Sequence, residues 1–286
     1  SINMGAGRPE EARRILANSF LVLCVCALVL TAAVYPLRRP MLMFFGASDV
    51  TYPYAEEYFS IYLAGTAFNL LSLGMNQFII SQGFAKKGMF SVVLGAALNI
   101  VLDPLFIFVF DMGVAGAALA TVISQLASCV YVLCVLFGKK VPVRIGFGGY
   151  SMRLIGRILL TGISPFLIIF VDSVMIISMN AVLQSYGGPE LGDRLITCAT
   201  IAQSFMLVVT MPLGGISGGT QTILAFNYGA HRRDRILEAQ KHIALLCVGY
   251  TTLMFALARL GGGLFVRLFT TEAGLAEEAL SAIHVC

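Results

Sequence analysis

Gly88-Met-Phe-Ser-Val-Val-Leu-Gly-Ala-Ala-Leu-Asn99-Ile-Val-Leu-Asp103-Pro104-Leu-Phe-Ile-Phe-Val-Phe110 is a run of 23 residues that carries a single charge. A helix of about 20 apolar residues crosses roughly 30 Å of hydrocarbon, so this run reads as a membrane span. Its two oddities, an acid and a proline, fall together at Asp103-Pro104. The rest of the chain repeats the pattern. Of its 286 residues 58% are hydrophobic and 12% charged, against about 25% charged in soluble domains. Mean hydropathy is +0.87. Too few charged side chains are present to coat so much apolar surface, which excludes disorder, a secreted disulfide scaffold and most soluble enzymes.

Further apolar runs read as spans at about Arg14–Tyr35 (stopped by Pro36), Tyr54–Ser81, Gly113–Phe137, Leu154–Leu183, Leu195–Ala225 and Ile236–Leu257. With Gly88–Phe110 they make seven. A shorter run from Gly261 is doubtful as an eighth, and another helix starts near Ala276. The chain opens with Ser1 in a charged loop, so its start reads as a cut inside a longer protein.

Cations fall in alternate loops. Arg8, Arg13, Arg14, Lys86, Lys87, Lys139, Lys140, Arg144, Arg153, Arg157, Arg232, Arg233, Arg235 and Lys241 account for 14 of the 19. The intervening loops hold most of the acids, among them Asp49, Glu56, Glu57, Asp111 and Glu190. The positive-inside rule puts the first group, and the N-terminus, in the cytoplasm of a multi-pass cell-membrane protein. The mild basic excess contains no polybasic run for nucleic acid. The seven cysteines lack CxxC spacing and read as buried thiols rather than a metal site.

An internal repeat is visible. Asn3-Met-Gly5-Ala6 followed by Arg8 returns as Asn227-Tyr-Gly229-Ala230 followed by Arg232, an offset of 224, and Ala55-Glu-Glu57 returns as Ala276-Glu-Glu278 at 221. Six spans separate the copies. An even number means both halves cross in the same sense, the parallel-repeat plan of some transporters that bind substrate between halves. Gly138–Ser151, rich in Gly and cations, reads as the connection between them.

Ionisable groups in mid-span are costly and therefore functional candidates. Two acids qualify, Asp103 and Asp172. Asn99 and Asp103 lie four apart on one helix face, and Pro104 should kink the helix and free the Ile100 carbonyl beside the carboxylate. An acid, an amide oxygen and a free carbonyl suit H⁺ or Na⁺; the alternative is a packing hydrogen bond to a neighbouring helix. Thr161, Pro165, Ile168, Asp172, Met175 and Met179 follow helical spacing. An acid with polarizable thioethers suits an organic cation, and a core stripe with one satisfied carboxylate is the alternative. Tyr62, Thr66, Asn69, Ser72 and Asn76 are expected on one face of the second span, and Thr200, Gln203 and Thr210 in the sixth. Such polar stripes either glue helices or line a wet cavity. HExxH, a Walker loop and mid-span histidines are absent from the sequence, which argues against an enzyme.

These motifs resemble the multidrug and toxic compound extrusion (MATE) family. The resemblance is carried by Asn3–Gly7, Ala85-Lys-Lys-Gly88, Asn99-Ile-Val-Leu-Asp103-Pro104, Gly113-Val-Ala-Gly116-Ala-Ala-Leu-Ala-Thr121, Met211-Pro-Leu-Gly214 and Asn227-Tyr-Gly229-Ala230. It implies an all-α polytopic membrane protein of two six-helix lobes related by a parallel repeat, both incomplete in this chain. The expected division is 1–137 for the N-terminal lobe (family helices three to six), 138–151 for a cytoplasmic linker and 152–286 for the C-terminal lobe (helices seven to the start of ten). It implies secondary active efflux of amphipathic or cationic small molecules in exchange for H⁺ or Na⁺. No cofactor beyond that ion, no metal and no nucleic acid are implied; membrane lipid surrounds a protein expected to be monomeric when full length. Asn99, Asp103 and Thr121 match the family's cation-coupling positions, and Asp172, Met175, Met179, Asn69, Asn76 and Gln203 are the expected cavity residues. A rival in the same wider superfamily, a flippase of lipid-linked oligosaccharides, would need mid-span cations for a pyrophosphate, and none is present. An intramembrane prenyltransferase would need clustered Asp.

Overall fold

The computed structural model describes residues 1–44, 51–267 and 280–281. Helices follow one another without strands among the described residues: α1 (Ile2–Gly5), α2 (Pro9–Phe44), α3 (Tyr52–Ala64), α4 (Thr66–Ser81), α5 (Ala85–Pro104), a π-helical turn (Leu105–Val109), α6 (Gly113–Phe137), α7 (Met152–Gly229) and α8 (Arg233–Val266). Six segments are long and apolar enough to cross a membrane: 9–43, 85–109, 113–137, 152–183, 197–229 and 233–263. The bent pair α3–α4 makes a seventh. Large apolar side chains such as Phe108, 79% exposed, cover their outer faces. Water would penalise that surface, and hydrocarbon does not. The molecule is an all-helical, multi-pass membrane protein.

Three expectations need correction. Pro36 does not stop the first span; α2 continues through Pro36 and Pro40 to Phe44. Ending a helix in hydrocarbon orphans a whole turn of carbonyls, whereas passing through a proline forfeits one bond. Arg38 Nη1 adds a donor to the Tyr35 carbonyl at 3.0 Å. The second span is broken at Gly65, where α3 and α4 meet at 48°. A methyl group on Gly65 would lie 2.5 Å from Val122 Cγ2, so the absence of a side chain lets the bend sit directly on α6. The apolar run from Gly261 is the end of α8 rather than a separate span. Helical structure also continues through 184–194, so the fifth and sixth spans lie within α7. The expected start near Ala276 lies outside the described residues.

The chain forms two compact units, residues 1–158 with 225–231, and residues 159–224 with 232–286. In the first, Leu16 of α2, Met75 and Ile79 of α4, and Val132 and Leu136 of α6 form a core that also buries Val143 and Ile145. The Gly- and cation-rich stretch 138–151 is thus a packed strap. Asn18, fully buried on α2, donates to the Gly149 carbonyl (3.2 Å) and accepts from Ser151 N–H (3.0 Å). Gln82 Oε1 accepts from Val143 N–H at 2.9 Å. In the second unit Cys198, Ile201, Ala202 and Val266 are buried together, with Phe205 and Phe265 edge to face at 5.2 Å. Tyr250 there donates to the Val209 carbonyl of α7 at 3.1 Å.

Candidate cation site

The site grows out of how closely α5 and α6 approach. A methyl on Gly116 would lie 2.9 Å from the carbonyl carbon and oxygen of Phe106. A methyl on Gly95 would collide with Ser128 Oγ. Ser128 Oγ donates to the Ser91 carbonyl (2.9 Å), and Ser91 Oγ to the Gly88 carbonyl (2.7 Å). Small residues at helical spacing thus hold two antiparallel helices backbone to backbone, as membrane helices do where lipid offers no hydrophobic drive.

This approach carries Thr121 to Asn99. Asn99 Nδ2 donates to Asp103 Oδ1 at 3.2 Å and lies 3.5 Å from Thr121 Oγ1. Thr121 spends its single hydroxyl hydrogen on the Ala117 carbonyl, 3.0 Å away. Its oxygen therefore faces Asn99 as an acceptor, and both amide hydrogens of Asn99 have an oxygen to address. What remains is a set of oxygens with spare lone pairs: Asn99 Oδ1, the Asp103 carboxylate and Thr121 Oγ1. Such a set offers no soft ligand and suits a hard monovalent cation or a proton. All three side chains are half-buried. No group of three or more His, Cys, Asp or Glu is placed to hold a metal ion among the described residues.

Beside the site the helix changes type. Leu105 N–H bonds the Leu102 carbonyl, and the next turn is π-helical, with Phe110 N–H on the Leu105 carbonyl at 3.0 Å. The expected proline kink is therefore a switch from α to π winding. π turns are rare and gather at functional sites. Asp103 sits at the last α-helical position but one, where winding and carboxylate environment are joined.

The other expected residues lie elsewhere. Asn76 is 5% exposed, with its Oδ1 unpartnered and turned toward Gly88 on α5; Asn69 is half-buried on the same helix. In the second unit Asp172 and Met175 are exposed and Met179 half-exposed, spaced three and four along α7. Asp172 has no hydrogen-bond partner among the described residues. Gln203 is half-buried on α7 near the Cys198–Ala202 cluster. Sequence reading missed Asn18, Gln82 and the Gly88–Ser91–Gly95–Ser128 seam. The alternation Val141-Pro-Val143-Arg-Ile145 was the signal for the strap, and small residues at spacings of three and four were the signal for the seam.

The MatE family model matches residues 1–105 and 154–286. The chain belongs to the MatE family. A multidrug export protein, MepA, of Staphylococcus aureus (strain NCTC 8325 / PS 47) is 26% identical over 287 residues, covering 98% of this chain and 61% of the relative. The MepA protein of Staphylococcus haemolyticus (strain JCSC1435) is 22% identical over 94% of this chain and 59% of its own length. The chain thus spans about three-fifths of the curated relatives it matches. A solved structure described as the outward-facing conformation of a multidrug resistance MATE family transporter of the MOP superfamily superposes with a TM-score of 0.90. It is 24% identical, covering 99% of this chain and 63% of that one. A MOP superfamily transporter from Pyrococcus furiosus Vc1 (DSM3638), for which a binding pocket of reverse polarity suggests a different function, superposes at 0.89 and 23% identity, covering 99% of this chain and 62% of that one. The fold is shared by both, so substrate choice has to be argued from side chains.

Proposed function

We propose that this chain is the larger part of a secondary active multidrug exporter, a membrane antiporter rather than an enzyme. It exchanges amphipathic or cationic small molecules for H⁺ or Na⁺. The observation that carries this reading is the Asn99–Asp103–Thr121 cluster: a carboxylate, an amide and a hydroxyl joined across two membrane helices next to a π turn. Ion binding there biases one of two lobe conformations and substrate binding biases the other, which is all that exchange requires. Asp172 with Met175 and Met179 supplies a negative, polarizable face for an organic cation, and Asn69, Asn76 and Gln203 supply polar contacts. No cofactor beyond the coupling ion takes part. The lobes run over 1–137 and 152–286, joined through 138–151, in a monomer of the cell membrane whose Lys86, Lys139 and Arg232 face the cytoplasm.

The test is efflux of ethidium from a drug-sensitive host expressing the complete reading frame, with H⁺ or Na⁺ gradients imposed separately. Export that follows one of the two gradients is expected. Export indifferent to both, or none at all, would reject antiport.

A further inference from the structure

The strap between α6 and α7 is fixed from within and open outside. Val141, Val143 and Ile145 are buried beneath it. Ile145 N–H bonds the Leu136 carbonyl at 3.1 Å, and Asn18 holds the far end at Gly149 and Ser151. A simple connection between helices needs no such fixing, which costs conformational entropy. What it provides is an outer face of constant shape.

That face seats two arginines of α2. A methyl on Gly146 would lie 2.9 Å from Arg13 Nε and Nη2, so the bare backbone there lets the guanidinium rest on the strap. A methyl on Gly149 would lie 3.4 Å from Arg14 Cγ, so the Arg14 stem runs along the same turn. Gly148 and Gly149 have φ of 114° and 71°, which glycine takes freely. The result is a groove of about 310 Å³ lined by Glu10, Arg13, Arg14 and the Gly146–Gly149 turn, Phe147 included. A smaller groove of about 180 Å³ shares Glu10 and Arg13 and adds Arg144.

The charges in these grooves are not paired with one another. Among the described residues the ion pairs are Arg8–Glu11 and Arg38–Glu56, and neither the Arg13 nor the Arg14 guanidinium has a hydrogen-bond or ion-pair partner. Arg144 donates to the Lys139 carbonyl at 3.3 Å and keeps its charge. Three cations stand against the single carboxylate of Glu10. Each arginine offers a planar fork of donors that fits phosphate oxygens. The Glu10 carboxylate disfavours a ligand of high negative charge and leaves a single anionic phosphate as the best match.

Position selects the source of that phosphate. One span ends at Phe137 and the next starts at Met152, so the strap joining them lies at the level of lipid headgroups. Phe147 on the strap is 77% exposed and stacks on Phe137 at 6.1 Å. Water penalises so open a ring, and an acyl chain does not. A basic groove thus meets an aromatic pair at a membrane boundary, which is the chemistry of a phospholipid rather than of a free anion.

We propose that the groove between the start of α2 and the Gly146–Gly149 turn binds an anionic phospholipid of the leaflet it faces. The phosphate sits on Arg13 and Arg14, Arg144 adds to the field, and an acyl chain runs along Phe147 and Phe137. Basic pockets beside span ends recognise headgroups in this way. The site needs the membrane fold and not the exporter reading, because lipid affinity is measured without transport.

The test titrates purified full-length protein in detergent with dioctanoyl phosphatidylglycerol and counts bound lipid by native mass spectrometry. Arg13→Gln/Arg14→Gln, both at exposed positions, should raise the dissociation constant by about tenfold or more, as loss of two interfacial cations would. Lys86→Gln/Lys87→Gln removes the same charge elsewhere on that side and should leave binding unchanged. Equal weakening by the two pairs would reduce the site to diffuse attraction and overturn it. Phe147→Ser keeps every charge and should weaken lipid binding severalfold; unchanged affinity would overturn the lipid as occupant. Dioctanoyl phosphatidylcholine should bind about tenfold more weakly than phosphatidylglycerol, and equal binding would contradict the demand for an anionic headgroup. Inorganic phosphate that displaced the lipid as well as phosphatidylglycerol itself does would assign the groove to a free anion and overturn the proposal.

Discussion

Asp103 and Asp172 are the same residue type, each in an apolar helix and each in reach of a proline, yet the structure treats them differently. Asp103 is tied to Asn99 at 3.2 Å, and Asn99 in turn approaches Thr121 at 3.5 Å across a helix interface. Asp172 lies exposed on α7, without a hydrogen-bond partner among the described residues. A carboxylate held by an amide that itself reaches a second helix can report its ionisation to the packing around it. A carboxylate open on a helix face can only attract what comes to it. On the proposed function, Asp103 is the coupling acid and Asp172 the recognition acid.

The largest effect expected is from Asp103→Asn, which should reduce gradient-driven efflux by at least about tenfold, or about 1.4 kcal/mol of coupling, with normal membrane insertion. If Asp172→Asn gave the same loss for cationic and neutral drugs alike, the division between the acids would fail. Asp172→Asn should instead raise the half-saturating concentration of cationic drugs by about tenfold or less and leave neutral ones unchanged, as removal of one exposed counter-charge would. Drug-competition binding on purified protein measures this. The scaffold behind Asp103 can be probed without touching it. Gly116→Val should destabilise by about 1–3 kcal/mol, because the Phe106 backbone cannot move aside; thermal unfolding in detergent reads it. Asn18→Leu should cost about 1–3 kcal/mol by stranding the Ser151 N–H, lowering thermal stability with drug affinity intact. The smallest effect belongs to Glu56→Gln. Its 2.9 Å pair with Arg38 is about one-third exposed, and such solvent-screened pairs contribute little. Stability should barely move.

How much of this was legible in the sequence differs by element. Span number and approximate position came from hydropathy alone, because a lipid-facing helix advertises its whole surface. The Asn99–Asp103 pair was readable from its i,i+4 spacing. Its grouping with Thr121 came from the family resemblance and not from spacing, since their meeting depends on Gly116 and Gly95 letting α6 approach, a tertiary fact. Span ends were misread at Pro36, where membrane burial outweighs proline's local preference, and at Gly65, where packing on Val122 bends a run that looks continuous. The strap 138–151 was read by composition as the connection between the halves. Its period-two apolar residues Val141, Val143 and Ile145 are all buried, and that alternation was the better guide.

The central claim is that Asp103 takes up the coupling ion in competition with drug. Purified full-length protein in weakly buffered detergent, titrated with ethidium, should release protons, or displace sodium if Na⁺ is the coupling ion. Asp103→Asn should bind ethidium with near-normal affinity and release neither. Equal ion release from wild type and Asp103→Asn would contradict the account and return Asp103 to a packing role.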